Sequence, residues 1–215
     1  PQGCLSFSAG VDTRDQSTVY DVLKRTVKAQ YAVVKTPVAD MIPANGMLAA
    51  AEREFTGPGC ERILADCLRP VAAQYDYIII DAPPEPGLLS ANALVASDVV
   101  LIPALPDGYS LQGVIQLMET VNRFKYAFRP DLVVGGLFLV RYYPREALSR
   151  TAKETALLLA AQLRIPFLHT QIRHSNVLPK AMSTLQCDLL AYAPKNHAVC
   201  DYLALVDELF QAGVL

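Results

Sequence analysis

The chain has 215 residues, of which 52% are hydrophobic and 19% are charged. That balance suits one folded domain, expected to span residues 1–215, and excludes a disordered or low-complexity chain. A net charge of −2 excludes a global positive field, so any attraction to nucleic acid or anionic lipid must come from a local basic patch.

In chain order, residues 18–27 space Val19, Val22, Leu23 and Val27 as one helical face. A short strand is expected over 39–43 and is broken by Ala44-Asn45-Gly46. Helices follow over 47–55 and 61–73, separated by Gly57-Pro58-Gly59. The strongest expected strand is 75–81, where Tyr77-Ile78-Ile79-Ile80 is continuous and apolar, as in a strand covered on both faces. Ala82-Pro83-Pro84 stops it. A helix over 88–96, a buried strand over 98–103 and a long amphipathic helix over 111–124 come next. Then come a glycine-interrupted strand over 133–140, a helix over 146–163, a short strand over 166–168 and a last helix over 197–210. Strands alternating with helices imply an α/β architecture, a twisted and mainly parallel sheet with helices on both faces. Of the five cysteines none forms a C-x-x-C pair, and of the three histidines only His197 stands close to a cysteine, Cys200, so no zinc motif is present. The cysteines read as reduced, mostly buried thiols of a cytosolic protein. No tract approaches the roughly 18 apolar residues a spanning helix needs. Pro1-Gln2-Gly3 opens the chain without an initiator methionine and is expected to be an interior point of a longer chain.

The chemistry concentrates at Asp81. A carboxylate after a buried apolar strand stands where ligands bind in open α/β sheets. There it can orient Mg²⁺, usually through a water, because Mg²⁺ keeps much of its hydration shell. An aspartate that merely ends a strand is an equally good account of the local pattern.

Ordered blocks extend this reading. Pro1-Gln2-Gly3, Tyr20-Asp21-Val22-Leu23, Ile42-Pro43-Ala44-Asn45 with Leu48, Ala49 and Glu52, and Asp81-Ala82-Pro83-Pro84 with Asn92-Ala93-Leu94 follow one another. Ile102-Pro103 with Gly113, then Gly136-Leu137 with Arg145 and Leu148-Ser149, continue the series. The set resembles the ParA/MinD-type P-loop ATPases, the deviant Walker A family, in its ParA partitioning branch. The resemblance implies a three-layer P-loop NTPase-like fold, here without the first strand and phosphate loop. It implies ATP and Mg²⁺ as cofactors, an ATP-dependent homodimer, non-specific DNA binding, and hydrolysis stimulated by a ParB-like protein. It also implies a bacterial, cytoplasmic, nucleoid-associated protein that segregates plasmid, chromosomal or mobile-element DNA.

Residue by residue, the resemblance makes Asp81 the Mg²⁺-orienting catalytic carboxylate and puts Pro83 and Pro84 in a switch that senses the γ-phosphate. It sets Arg141, Ile172 and Arg173 near the base and makes Arg173 and Lys180 DNA contacts. The chain departs from the family pattern at Arg173, Lys180, Glu85, Gln112 and Cys4. No K-G-G-x-G-K-[ST] stretch occurs in it, so these residues alone are expected neither to bind ATP tightly nor to hydrolyse it. A non-catalytic interaction module is the alternative from another class. A MinD-like membrane-associated ATPase is the other, but it would end in a basic amphipathic helix. After Lys195 this chain has no Lys or Arg, while Asp201, Asp207 and Glu208 fall on the last helix. An acidic end is repelled by anionic lipid. The last helix therefore reads as a packing helix that buries Val199, Tyr202, Leu203, Val206 and Leu209. The cluster-bridging cysteine of iron-protein relatives is missing between 82 and 100, and the tyrosine-rich tail of tyrosine-kinase relatives is reduced to Tyr192 and Tyr202.

Overall fold

The computed structural model describes residues 2–185 and 188–215. Pro1 and Cys187, both used in the sequence reading, lie outside them. The first third of the chain is a set of short helices. α1 (Cys4–Ser8) is followed by α2 (Val19–Leu23), which opens on a capping box: the Asp21 carboxylate accepts from the Thr18 N–H at 2.8 Å. The helix expected to reach residue 27 stops at Leu23. Arg25 turns left-handed at φ 60°, and the Thr26 N–H folds back onto the Asp21 carbonyl at 3.1 Å.

After α3 (Ala29–Ala32), β1 (Val34–Lys35) and β2 (Asp40–Met41) form an antiparallel hairpin, so the strand expected over 39–43 is two residues long. The Thr36 hydroxyl closes its turn by donating to the Ala39 carbonyl at 2.7 Å. A 3-10 helix (Gly46–Ala50) runs directly into α4 (Ala51–Glu54). A second 3-10 helix (Cys60–Arg62) leads into α5 (Ile63–Ala72).

Residues 77–80 depart from expectation. They are followed directly by Asp81, but they join no strand ladder among the described residues, and Ile79 is 91% exposed. A continuous apolar run signals demand for burial on both faces; here only part of that demand is met. Ile80 packs beside the cluster of Tyr20, Leu23, Leu48, Leu64 and Leu89, and the Tyr77 ring meets Phe210 edge-on at 6.1 Å.

α6 (Leu88–Ala96) follows and is buried on nearly every side. Leu89 belongs to the cluster just described, and Leu94 belongs to the larger core. β3 (Val99–Ala104), α7 (Gly108–Phe128) and β4 (Val133–Leu139) make a β-α-β unit whose two strands pair in parallel. Asp107 caps α7 by accepting from the Ser110 N–H at 2.8 Å, which starts the helix three residues before the expected position. The register slips between Val100 and Leu101, leaving Gly135 as the extra residue of a bulge. Gly136 has φ 151°, and a Cβ there would lie 2.7 Å from Leu168 Cγ, so only glycine fits this close approach.

β4 separates two layers. Leu137 and Leu139 face the core of Ile102, Val114, Val121, Ala156 and Leu159, built with α7 and α8 (Ala147–Leu163). Phe138 faces the opposite cluster of Leu168, Ile172, Ala198, Leu205 and Leu209. Leu137 bridges Phe167 in parallel, so the strand expected over 166–168 is reduced to that bridge. α9 (Val177–Pro179), a π-helical turn (Lys180–Leu185), α10 (Leu189–Tyr192) and α11 (His197–Gln211) complete the chain. α11 packs as expected, but through Ala198, Val199, Leu205 and Leu209. Tyr202, Leu203 and Val206, expected inside, are exposed.

Candidate functional site

The expected site residues fall into two groups. The first begins at Asp81, which is exposed. No hydrogen bond or ion pair engages its carboxylate among the described residues, leaving both oxygens open to a cation or its water shell. Pro83 and Pro84 come next in an irregular loop. The Pro83 carbonyl accepts from the Ser90 hydroxyl at 3.1 Å, and the Glu85 carbonyl takes a second, short bond from the same hydroxyl. The loop ends at Gly87, the N-cap of α6, which has no side chain to satisfy the helix's first amides. Glu52 of α4 supplies the acceptors instead. Its Oε2 accepts from the Leu88 N–H at 2.7 Å and its Oε1 from the Leu89 N–H at 3.0 Å. Pro83, Glu85, Pro86, Leu89, Ala49 and Glu52 enclose a cavity of about 310 Å³.

Further along α6, Asn92 is buried and ties three elements together. Its Oδ1 accepts from the Leu64 N–H, and its Nδ2 donates to the Cys60 and Leu88 carbonyls. Near the start of the chain, the buried Ser6 hydroxyl both accepts from the Ala44 N–H and donates to the Ala44 carbonyl, fixing the Ala44-Asn45 turn to α1. A polar cavity of about 430 Å³ lies between them, lined among others by Gln2, Gly3, Asp12, Arg14 and Asn45.

The second group lies at the carboxyl end of β4. Arg141 is exposed and left-handed at φ 55°. Its neighbour Tyr142 bridges Arg173 in parallel, so 140–142 and 172–174 run side by side. Ile172, expected near the base, turns its side chain inward. Its side chain is 1% exposed in the apolar cluster beneath α11, its N–H donates to the Leu139 carbonyl, and its carbonyl accepts from Tyr142. Its side chain thus faces the core and not a ligand.

Arg173, expected near the base and as a DNA contact, is paired with α11. Its Nε donates to Asp201 Oδ2 at 2.8 Å and its Nη2 to Oδ1 at 2.6 Å, while its own backbone N–H reaches Oδ2 at 2.9 Å. A bidentate pair of this kind engages Nε and Nη2 and offsets much of the charge, while Nη1 stays outside the pair on a side chain that is 43% exposed. Burial alone would raise the Asp201 carboxyl, but the side-chain and backbone hydrogen bonds from Arg173 outweigh it and hold the group below the usual carboxylate range. Glu208, two turns further along α11, accepts from the His169 N–H at 2.6 Å and the Thr170 N–H at 2.8 Å. Its carboxyl is likewise lowered: burial opposes the shift and the two amides overcome it. The buried Gln171 joins the Leu139 N–H to the Leu168 and His169 carbonyls. The loop 168–173 is thus pinned from both sides. Lys180, the other expected DNA contact, is exposed at the start of the π-helical turn. No cluster of three metal-ligating side chains is present among the described residues. A single carboxylate with open oxygens fits Mg²⁺, which relies on waters and phosphate oxygens for its other ligands.

A parallel β-α-β core with helical layers on both sides, and a carboxylate ending an apolar run, belongs to the P-loop NTPase-like class of α/β proteins. Cobyrinic acid a,c-diamide synthase from Mycobacterium smegmatis, solved with bound ADP and magnesium, superposes with a TM-score of 0.82 at 29% identity over 98% of this chain and 78% of that one. A family model described as "AAA domain" matches residues 1–134. The chromosome partitioning protein ParA of Myxococcus xanthus is 36% identical over 98% of this chain and 75% of its own length. The sporulation initiation inhibitor protein Soj of Bacillus subtilis is 33% identical over 99% of this chain and 84% of its own length. The chain belongs to the ParA/MinD-type P-loop ATPase family.

Proposed function

We propose that the protein is a ParA-like partitioning ATPase that binds ATP with Mg²⁺, dimerises around the nucleotide, holds DNA non-specifically and hydrolyses ATP under a ParB-like partner. The observation that carries this reading is the Asp81 carboxylate, open on both oxygens, followed at once by a tethered proline loop. The ADP and magnesium of the M. smegmatis synthase support a nucleotide and a divalent cation for this fold. Mg²⁺ bound near Asp81 would supply charge neutralisation at phosphate oxygens. Asp81 would orient the ion's water shell, and Pro83 and Pro84 would move with the loop that meets the terminal phosphate. Arg141 is the basic side chain offered for stacking on a base, and Lys180 is the charge offered to DNA.

Residues 1–215 carry no K-G-G-x-G-K-[ST] stretch, and we propose that they do not turn over ATP alone. The test uses the full-length gene product and the 215-residue chain side by side. The full-length protein is expected to hydrolyse Mg²⁺-ATP, and Asp81→Ala is expected to abolish most of that turnover while leaving the thermal melt intact. Turnover by the 215-residue chain, or an Asp81→Ala variant with unchanged rate and Mg²⁺ requirement, would overturn the assignment.

A further inference from the structure

Resting on that reading, we infer that Glu52 is the positioning residue of the loop that follows Asp81. The loop's other hydrogen bonds among the described residues come from α6 itself. Ser90 holds the Pro83 and Glu85 carbonyls, Ala91 donates to the Gly87 carbonyl, and Asn92 donates to the Leu88 carbonyl. Those ties hold the loop to α6, which Asn92 in turn joins to Leu64 and Cys60 farther along the helix. Glu52 belongs to a different element, and its two oxygens take the two leading amides of α6 at 2.7 and 3.0 Å. A carboxylate at this end is also favoured by the helix macrodipole.

Gly87 is shaped for the same contact. Its φ of −172° is open to any residue, so backbone strain does not require glycine. What a side chain there would displace is Glu52: a Cβ at position 87 would lie 2.6 Å from Oε1 and 2.9 Å from Cδ and Oε2. A methyl group there would push the carboxylate off the two amides. The link also has a far end. Glu52 is the second residue of α4, which continues the 3-10 helix that Asn45 caps by accepting from the Met47 N–H at 3.0 Å. The adjoining Ala44 is gripped by Ser6 at the rim of the polar cavity. Residues 46–54 therefore form a continuous rod from that cavity to the loop after Asp81. Glu52 joins the rod to the loop.

The test is a double-mutant cycle in the full-length protein, with steady-state Mg²⁺-ATP hydrolysis, amide hydrogen exchange at Leu88 and Leu89, and a thermal melt for each variant. Glu52→Ala and Gly87→Ala should each lower kcat about five- to tenfold, the scale of one lost helix cap, with KM for ATP changed less than about twofold. Both should speed exchange of the two amides. The double variant should be no worse than either single one, because the methyl group acts only through the carboxylate. Glu52→Gln keeps one carbonyl oxygen and should fall between wild type and Glu52→Ala. Should Glu52→Ala fail to fold, Gly87→Ala, which keeps every native side chain, carries the same expectation. Effects of the two substitutions that multiply, an unchanged kcat, or a raised KM at constant kcat would each overturn the inference. Wild-type protein without turnover removes the ATPase reading and this inference with it, whereas active wild type with indifferent variants removes this inference alone.

Discussion

The pair between Arg173 and Asp201 gives the sharpest energetic expectation. Replacing Asp201 with Asn keeps the shape and one acceptor oxygen but removes the charge and the bidentate geometry. Three donors are affected: Arg173 Nε at 2.8 Å, Nη2 at 2.6 Å and its backbone N–H at 2.9 Å. Hydrogen bonds to a charged group contribute about 1.5–3 kcal/mol each, but they are not additive, and water screens a half-exposed partner. The Asp201 side chain is 13% exposed and that of Arg173 43%, so the fully buried limit does not apply. About 2 kcal/mol at neutral pH is the expected loss, equivalent to a fall of about 4–8 °C in Tm for a chain of this size.

The pH dependence follows from the sign of the shift. The folded carboxyl is held below its unfolded value, so the unfolded state binds the proton more readily. The stabilisation is complete above the unfolded pKa and is lost as pH falls through the folded one. Urea unfolding followed by circular dichroism, at pH 7 and in steps down to pH 3, should show the gap between wild type and Asp201→Asn closing in acid. A gap under about 0.5 kcal/mol at pH 7, or one that is constant down to pH 3, would refute the reasoning.

Three further outcomes are expected. Asn92→Ala strips one acceptor and two donors from a buried junction of α5, α6 and the Cys60 carbonyl, and should cost about 2–4 kcal/mol in denaturant unfolding. Gly136→Ala must place a methyl group 2.7 Å from Leu168 Cγ at a left-handed φ, and should cost about 2–4 kcal/mol by the same measurement. Lys180→Glu in the full-length protein should weaken ATP-dependent DNA binding about equally on all sequences and lower the slope of log affinity against log salt by about 1 or slightly more, measured by fluorescence anisotropy. Arg173→Glu would instead set two carboxylates against each other, so its first effect should be on stability.

How well each element could be read from the sequence follows from where its information lies. α6 was placed to the residue, because Pro83-Pro84 and Gly87 stop the chain before it and Ser97-Asp98 after it. β3, β4, α8 and α11 were placed within a residue or two for the same reason. The run 75–81 was misread because hydrophobicity reports what a segment wants and not whether a neighbour is there to pair with it. The pairing of Arg173 is invisible in the sequence because its partner lies 28 residues away on another element. Glu52 was seen only as part of a sequence block, since the amide it satisfies at Leu88 is 36 residues further on. Such partners have no local signature. The acidic residues of α11 were read only for their repulsion of lipid, yet Asp201 and Glu208 face inward onto the loop 168–173.

The two expected site groups rest on very different support, and this bears on how the protein would use a ligand. The loop 168–173 is held by two carboxylates, a buried glutamine and parallel pairing to β4, so its conformation is set before anything binds. Asp81 stands at the other extreme. The four residues before it share no ladder among the described residues, Ile79 is almost wholly exposed, and the nearest tethers are Ile80 below and the Ser90 and Glu52 contacts beyond. Segments with few buried contacts and solvent-exposed backbone lie at the low end of local stability. A ligand that engages Asp81 therefore spends part of its binding free energy ordering that segment, whereas one that engages the β4 end does not. A nucleotide spanning both would dock on the rigid end and order the loose one. On the proposed function, the loop after Asp81 would be the element whose position reports whether the site is filled.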